Sequence, residues 1–450
     1  MAYRIALLCL LLVPSWAQAQ TTEEQARRLT ATQLAQELLR SNKPAEALQV
    51  LSSSQFSRDE TAAYHATYAR ALVQVDRTYE SIQHFRLAYL YATLPAEQER
   101  LLFERGEAYA KLRFFAEAAL CFDLFLKTFP RSPDAPRARL AIAAAKYRQR
   151  SYRESARLFA QLEPSVESRA GRANSLQALG RTLEAHEIFR SLVETEFRFV
   201  NESPETLFNI GVNFLQMGKT ADAVIYLNSV KDDAYAPRAA VHLGRVYLKE
   251  KKFDEALKHL ADAEASSDRS VASEALMLKS EALMQQGKEQ EAEAVLRQLR
   301  EQYPYGPVYD EASLRLAQAA RAQNRGNDAA ALLKELVYRR NPTAESIAEL
   351  ERLMLDAKQR GPEELERLWQ SMGRWLLSPT RSAVLLQISR GLRASGKPFI
   401  DLCTWIVRYG TPEGRNECSV QLADFYAGIG DVGRANGYLL RYQGPRTEAT

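Results

Sequence analysis

The sequence predicts an all-α protein built as a solenoid of stacked antiparallel helix hairpins. Three observations indicate this fold class. Alanine, leucine, glutamate, arginine and glutamine dominate the chain, and these residue types favour helix. No alternation of apolar and polar residues bounded by Asn-Gly or Asp-Gly turns, the usual sign of paired strands, stands out. One short pattern also recurs along the chain at a roughly constant interval, which is typical of a repeat protein.

The recurring pattern is a polar or glycine-containing turn, then a small residue, then a large apolar residue four places later. RFFAEAALCF (113–122), KKFDEALKHL (251–260) and GKEQEAEAVL (287–296) are examples. The small residues recur at intervals of 30 to 38 residues, except before the last one. They are Ala47, Ser81, Ala118, Ser155, Ala185, Ala223, Ala256, Ala292 and Ala435.

A second column of small residues lies about 12 residues upstream of the first. Its members are Ala35, Ala69, Gly106, Ala143, Ala173, Gly211, Gly244, Ser280 and Ala423. Two small residues at this spacing fit a helical hairpin, because each helix then carries a small residue where the other crosses it. A lone hairpin cannot bury both of its faces, so neighbouring hairpins must stack.

The pattern resembles the tetratricopeptide repeat, most fully in Gly106, Tyr109, Ala118, Phe122 and Pro130. The resemblance covers nearly the whole mature chain. It implies a right-handed superhelical solenoid, in which the first helix of each hairpin lines a concave groove that binds other proteins. Two segments, 129–143 and 303–319, share an aromatic residue, a proline and then a second proline expected to help start the next helix. This style looks like the repeat domains of exported bacterial envelope proteins.

The N-terminus has the three parts of a secretory signal peptide. A single basic residue, Arg4, precedes an apolar run from Ile5 to Val13, and small residues at Ala17 and Ala19 mark a cleavage point. The run is too short to span a bilayer, and an uncleaved anchor is the alternative. We expect an exported protein, periplasmic or secreted, with no transmembrane segment after cleavage.

These features divide the chain into five parts. They are a signal peptide at 1–19, a solenoid of about nine repeats at 20–338, degenerate helical repeats or a hinge at 339–400, one or more C-terminal repeats at 401–443 and a disordered tail at 444–450. The third part matches the repeat poorly, because Asn341-Pro342, Gly361-Pro362 and Ser378-Pro379 interrupt its helical segments.

Composition argues against a nucleic-acid partner. The chain has 60 basic and 56 acidic residues, for a formal net charge of +4, and no long basic run. Signal cleavage would leave Cys121, Cys403 and Cys418. Cys403 and Cys418 are candidates for a disulfide in an oxidising compartment, and two buried free thiols are the alternative. No Cys-x-x-Cys or Cys/His ligand spacing occurs, so we expect no metal and no cofactor.

Catalytic motifs are missing from the sequence. It contains no His-Glu-x-x-His, no Gly-x-Ser-x-Gly and no phosphate-binding glycine loop. The resemblance instead implies partner-binding residues at exposed concave positions of the first helices. These are Arg70, Arg100, Phe103, Lys111, Arg137, Tyr147, Arg148, Arg238, Arg245 and Lys249. The groove of the second to fourth repeats would be basic and suited to an acidic peptide, and a solvated face with compensating charges is the alternative.

The sequence therefore predicts a non-enzymatic scaffold or adaptor of the bacterial cell envelope. It would bind protein or peptide partners in the groove, with envelope assembly components as the expected partners. One alternative is a cell-wall glycan-associated enzyme, or an accessory subunit of such an enzyme, with its catalytic part in 339–400. A structural protein with a glycan or lipid ligand is another.

Overall fold

A computed structural model describes residues 29–337 and 342–443 of the chain. The expected signal peptide at 1–19 and the expected tail at 444–450 lie outside the described residues. The described residues form 25 α-helices and three short 3-10 helices, and they contain no β-strand. The prediction of an all-α fold of stacked hairpins is confirmed. None of the helices in this part of the chain is long and apolar enough to cross a membrane.

The chain divides into two compact units after Asp232. The helices of the first unit are α1 Ala31–Arg40, α2 Pro44–Ser53, α3 Thr61–Gln74, α4 Thr78–Tyr91, α5 Pro95–Lys111, α6 Phe115–Thr128, α7 Ala135–Arg148, α8 Tyr152–Ala160, α9 Val166–Ala178, α10 Thr182–Thr195, α11 Phe197–Glu202, α12 Pro204–Gln216 and α13 Thr220–Ser229.

The second unit continues the same arrangement. Its helices are α14 Ala236–Lys249, α15 Phe253–Glu264, α16 Arg269–Gln285, α17 Glu289–Gln302, α18 Pro307–Ala322, α19 Gly326–Val337, α20 Ala344–Arg360, α21 Pro362–Met372, α22 Ser382–Ala394, α23 Ile400–Tyr409, α24 Pro412–Gly428 and α25 Val432–Leu439. In both units, helices that follow each other in sequence pack against each other.

The two columns of small residues lie where the helices of each hairpin cross. The small residue of the second helix is 0% exposed in eight of the nine predicted hairpins and 4% exposed at Ala435. In the first helix, a Cβ atom on Gly106 would lie 2.8 Å from the ring of Phe122, and one on Gly211 would lie 2.6 Å from Cγ of Leu227. The glycines therefore permit an approach that no larger residue allows without a shift.

One turn geometry closes the hairpins. A residue with positive φ ends the first helix, and the next amide donates to a carbonyl five residues back at 2.7 to 3.0 Å. This is the Schellman arrangement, which satisfies carbonyls left over at a helix end. The positive-φ residues of these turns are Asn42, Asp76, Arg113, Arg150, Gly180, Gly218, Lys251, Gly287, Asn324, Gly396 and Gly430.

Two of these turns belong to hairpins absent from the predicted set of nine. Asn324 joins α18 to α19, and Ala317 and Ala329 supply its two small residues, both 0% exposed. Gly396 joins α22 to α23. In this last hairpin the second helix begins two residues later than elsewhere, so the buried small residue at the crossing is Cys403. The expected division after residue 400 falls after the first residue of α23.

The proline-marked segments start their helices differently. Pro307 is the first residue of α18, as the second proline of the motif was expected to be. The corresponding Pro133 lies in the turn before α7, and Pro136 inside that helix takes the role instead. Gly361, with a φ of 115°, separates α20 from α21, where the sequence indicated a break.

Candidate partner-binding surface

The first helices of successive hairpins form one face of each unit, which we call the first-helix face. In the first unit it consists of α1, α3, α5, α7, α9 and α12, and in the second unit it includes α14, α16 and α18. All ten residues predicted to bind partners lie on these helices. The structure shows what each of them contacts.

At the start of the face, Arg70 on α3 reaches across to α5. Its Nε lies 3.0 Å from Oε2 of Glu104. Arg100, one turn before Glu104 on the same helix, approaches that carboxylate at 3.9 Å. Lys111 at the end of α5 donates to the carbonyl of Val73 at 3.0 Å and also meets the carboxylate of Asp76 at 3.1 Å. These side chains tie α5 to α3.

Arg137 on α7 makes the corresponding link back to α5. It pairs with Glu107 at 3.2 Å and with Asp134 at 2.7 Å. Burial raises the pKa of the Glu107 carboxyl, and the neighbouring Arg137 opposes that rise. The guanidinium also lies 4.6 Å from the ring centroid of Phe103.

Phe103 differs from the expectation of an exposed concave position. It is 6% exposed and packs against Phe122 and Phe125 in the core between α5 and α6. A partner on this face would therefore meet the guanidinium of Arg137 above the ring, rather than the ring itself. The expectation failed because the pattern places Phe103 on the first helix without showing how far that helix is rotated.

Two residues of α7 reach past α9 to α12. Arg148 holds Glu205 through two hydrogen bonds of 2.8 Å. Asn209 donates to the hydroxyl of Tyr147 at 3.4 Å. The partners are 57 and 62 residues apart in sequence, so no local pattern could have indicated either contact.

The second unit repeats the scheme. Arg238 on α14 lies 3.0 Å from Asp268, and this hydrogen bond lowers the pKa of the Asp268 carboxyl. Arg245, two turns later on α14, pairs with Glu274 on α16. Lys249 is exposed and has no ion pair among the described residues. Seven of the eight cations of the predicted site thus have an ion pair, and for Arg70, Arg137, Arg148 and Arg245 the acid lies on another first helix.

Sequence reasoning missed a set of hydrogen-bonded amides between α9 and α12. Gln177 donates to Gln216 at 2.9 Å and accepts from Asn213 at 2.8 Å. Nδ1 of His186 lies 2.8 Å from the oxygen of the same Asn213. The available signal was a cluster of amide residues at buried helical positions, where unpaired polar groups are costly.

Cys121, Cys403 and Cys418 are buried free thiols. Cys121 lies in the core of α5–α7, where Nε of Arg105 donates to its sulfur at 3.2 Å. Cys403 and Cys418 are both 0% exposed and hydrogen-bond to each other, and Ser389 lies 3.0 Å from the sulfur of Cys403. The predicted disulfide stays a prediction. Within residues 29–337 and 342–443, no group of three or more histidine, cysteine or acidic residues could hold a metal ion.

Comparison with known sequences supports the repeat assignment. Two models of the tetratricopeptide repeat match the chain, one over residues 205–234 and one over residues 241–307. No curated protein sequence matches. The first span covers α12–α13, and the second runs from the middle of α14 through α15, α16 and α17.

Several solved structures are similar to this chain. A tetratricopeptide repeat protein from Parabacteroides merdae has 17% identity and a TM-score of 0.44, over 58% of this chain and 99% of its own. PilF of Pseudomonas aeruginosa has 19% identity and a TM-score of 0.37, over 48% and 96%. The C-terminal part of a repeat protein from Cytophaga hutchinsonii has 16% identity and a TM-score of 0.40, over 55% and 99%.

Proposed function

We infer that this chain, a tetratricopeptide repeat protein, is a non-enzymatic scaffold of the bacterial cell envelope that binds other proteins along its first-helix face. The repeats and their fold are those of a protein-interaction scaffold. The envelope location and the use of the first-helix face are our proposals. Envelope assembly components are the partners that we propose.

The observation that carries the binding proposal is the set of side-chain bridges between first helices. Arg70 with Glu104 and Arg137 with Glu107 hold successive first helices in register, and Arg148 with Glu205 links α7 to α12. A surface that is already held in place loses less conformational entropy when a partner binds. The first-helix face is therefore preorganised for an extended partner.

The same bridges indicate how an acidic partner would bind. Exposed ion pairs contribute only about 0–1 kcal/mol each. A carboxylate of the partner can therefore replace Glu107 as the ion-pair partner of Arg137 with little loss of free energy. Arg100 and Lys249 can bind a carboxylate of the partner without losing a short ion pair, because Arg100 has only a long 3.9 Å contact and Lys249 has no ion pair among the described residues. We propose that a bound acidic peptide takes over these arginine contacts.

Affinity capture from an envelope extract tests the binding surface. The bait is the mature chain, and the variant carries Arg100→Glu, Arg137→Glu and Arg148→Glu. We expect the variant to lose the partners that the unchanged chain retains, because three cations that attract a carboxylate become anions. An unchanged set of partners would overturn the assignment of the surface.

A charge-swap control separates contact from structure. Arg148→Glu combined with Glu205→Arg reverses both charges and keeps the pair of 2.8 Å contacts possible. If Arg148 binds the partner, the swap should bind as poorly as Arg148→Glu alone. If Arg148 only holds α12 in place, the swap should restore binding.

The proposed location rests on the residues at 1–19, whose pattern is that of a signal peptide. Fusing residues 1–30 to an alkaline phosphatase that folds only after export tests it. We expect phosphatase activity from this fusion and none from a fusion that begins at residue 20. Equal activity from both would contradict the export proposal.

A further inference from the structure

A cleft opens on the opposite side of the first unit, between two second helices. The second helices α4, α6, α8, α10 and α13 form what we call the second-helix face. Between α6 and α8, above α7, lies a cavity of 760 Å³. Its apolar lining includes Leu120 and Leu126 of α6, Ile142 of α7, and Leu158 and Leu162 at the end of the hairpin. We call this cavity the outer cleft.

The cleft lies beside a short second helix, α8. It has nine residues, whereas α4, α6 and α10 each have 14. After Ala160 the chain leaves the helix, and Leu162 follows in the loop. The last turn of helix that α4, α6 and α10 possess is therefore missing here, as it is in α2 and α13, which have ten residues each.

The rim of the cleft exposes large apolar side chains. Leu120 is 70% exposed, and Leu124, one turn later on α6, is 43% exposed. Two leucines four residues apart form a ridge of the kind that packs into the grooves of another helix. The shape of the rim therefore fits a helix better than an extended peptide.

The charge around the outer cleft has an excess of cations. Its two acids are already paired, Asp123 with Lys127 at 2.5 Å and Glu154 with Lys146 at 3.1 Å. Arg139 lies where the cleft continues into a second cavity of 390 Å³, and it has no ion pair among the described residues.

The surroundings of the cleft add to this excess. On the exposed side of α8, Arg153 and Arg157 also have no ion pair within the part of the chain that the structure describes. Glu163, in the second cavity, is an acid without an ion pair in that part of the chain. Glu117, exposed on α6, is a second acid without an ion pair among the described residues. The local balance leaves three such cations against two such acids.

We propose that the outer cleft binds an amphipathic α-helix of a partner protein, with leucine-type side chains on one face and carboxylates beside them. The apolar face packs on Leu120, Leu124 and Ile142, and a carboxylate pairs with Arg139. Helix-in-groove recognition of this kind uses anchors at every third or fourth residue. The lining of the outer cleft contains none of the ten residues predicted for the first-helix face. Arg137 of that face lines only the adjoining second cavity.

A labelled synthetic helix tests the proposal against the full mature chain. The probe is a peptide of about 18 residues, roughly five turns, with leucines on one face and glutamates on the flanks. Its matched partner has lysine in place of each glutamate. We expect fluorescence anisotropy to show binding of the glutamate peptide and at least about tenfold weaker binding of the lysine peptide.

Three variants locate the binding. Leu120→Glu should weaken binding of the glutamate peptide at least about tenfold, because it places a charge in the apolar contact. Arg139→Glu should weaken binding of the glutamate peptide and strengthen binding of the lysine peptide. Leu183→Glu is the matched control, because Leu183 is a 69% exposed leucine on α10 that lines neither cavity. It should leave binding unchanged.

Four results would overturn the proposal. The first is no binding of the glutamate peptide, and the second is equal binding of the two peptides. The third is an equal loss in Leu120→Glu and Leu183→Glu. The fourth is self-association in sedimentation that Leu120→Glu abolishes, because a second copy would then occupy the cleft. The Arg148→Glu variant of the first-helix face should bind the peptide normally, so the two proposals can fail independently.

Discussion

At the scale of single residues, the least expected feature is the backbone conformation of the turns. The positive-φ position lies five residues before the small residue of the second helix in all nine predicted hairpins. Arginine or lysine occupies it at Arg113, Arg150 and Lys251, with φ values of 63°, 61° and 58°. A residue with a Cβ atom pays about 1–2 kcal/mol for this conformation.

Replacing such a residue with glycine should stabilise the protein. The Arg150→Gly change removes the strain of about 1–2 kcal/mol, and it adds about 0.5–1 kcal/mol of chain entropy to be lost on folding. The net expectation is a gain of roughly 0.5–1 kcal/mol, visible as a higher urea midpoint. Gly180→Arg, at the same position of the next hairpin, should lower that midpoint. A fall for both variants would contradict the role of the turn.

The sequence predicted the small residues of the hairpins correctly because steric contact leaves few options there. A crossing such as that of Gly106 with Phe122 tolerates little else, so the pattern persists in each unit. The turn position could not be recognised, because arginine, aspartate and glycine share no side-chain property. Only their common φ unites them. Phe103 was misplaced for a related reason, since the pattern shows the helix but not its rotation.

At the scale of helices, the α22–α23 hairpin was hidden by a shift of its second helix. Cys403 takes the crossing position there, and Ser389 is its counterpart on the first helix. The next first helix, α24, brings Cys418 against the same place. Hydrogen bonding between the two thiols lowers the pKa of Cys403 and raises that of Cys418. Since the thiolate is the attacking species, Cys403 is the expected nucleophile of the pair.

Refolding with oxidised glutathione should join these two cysteines. Each bond formed transfers two electrons to the glutathione disulfide and leaves two reduced glutathione molecules. After alkylation, mass spectrometry should find label on Cys121 alone in the mature chain. The bond closes a loop of 15 residues, which in the chain-entropy description adds about 3 kcal/mol of stability. Label on all three cysteines would contradict it, and Cys403→Ser is the control that cannot form the bond.

The α3–α4 hairpin contains a close pair of histidines. Nδ1 of His65 lies 3.0 Å from Nδ1 of His84, and His84 stacks on Tyr68. Burial and the neighbouring His84 lower the pKa of His65 to about 4. Burial also lowers the pKa of His84, and Glu80 on the same helix opposes this. The pair is therefore uncharged near neutral pH.

Acid should destabilise this hairpin. Because the folded-state pKa lies below the 6.5 of the unfolded chain, the unfolded chain takes up a proton first as the pH falls. Stability is then full above about pH 6.5 and declines as the pH falls toward 4. Since both rings are only partly buried, we expect a loss of roughly 1 kcal/mol.

The histidine prediction is checked by urea unfolding across this pH range. His84→Gln should flatten the dependence, because it removes one titrating ring and the repulsion between two charged rings. His186→Gln, a histidine of another hairpin, should keep the slope of the unchanged chain. A slope that His84→Gln leaves unaltered would count against the pair.

At the scale of the whole molecule, the chain consists of two compact units that meet in sequence after Asp232. Each unit has its own hydrophobic clusters. The cluster around Phe122 and Phe125 belongs to the first unit, and the cluster around Leu350 and Leu385 belongs to the second. In a repeat protein, stability is roughly a sum over units and their nearest neighbours.

The two units should therefore fold when they are produced separately. Fragments 29–232 and 233–443 should each show helical circular dichroism and cooperative thermal unfolding. A cut after Glu250 is the matched control, because it separates α14 from α15 and removes the contact between Gly244 and Leu260. The fragments of the control cut should be less stable than those of the first cut. The opposite order would contradict the division.

The ion pairs between first helices have a consequence for how such a chain can change its number of repeats. Arg245 lies on α14, directly after the small residue Gly244, and it pairs with Glu274 on α16, the first helix of the next hairpin. A tandem copy of the α14–α15 hairpin would instead present a second Arg238 at the place of Glu274. Two cations would then face each other, so a copied hairpin would not reproduce the ion pair between neighbouring first helices. Gene duplication within this array would replace that exposed ion pair with a repulsion of similar size, about 0–1 kcal/mol, until a compensating change of charge removed it.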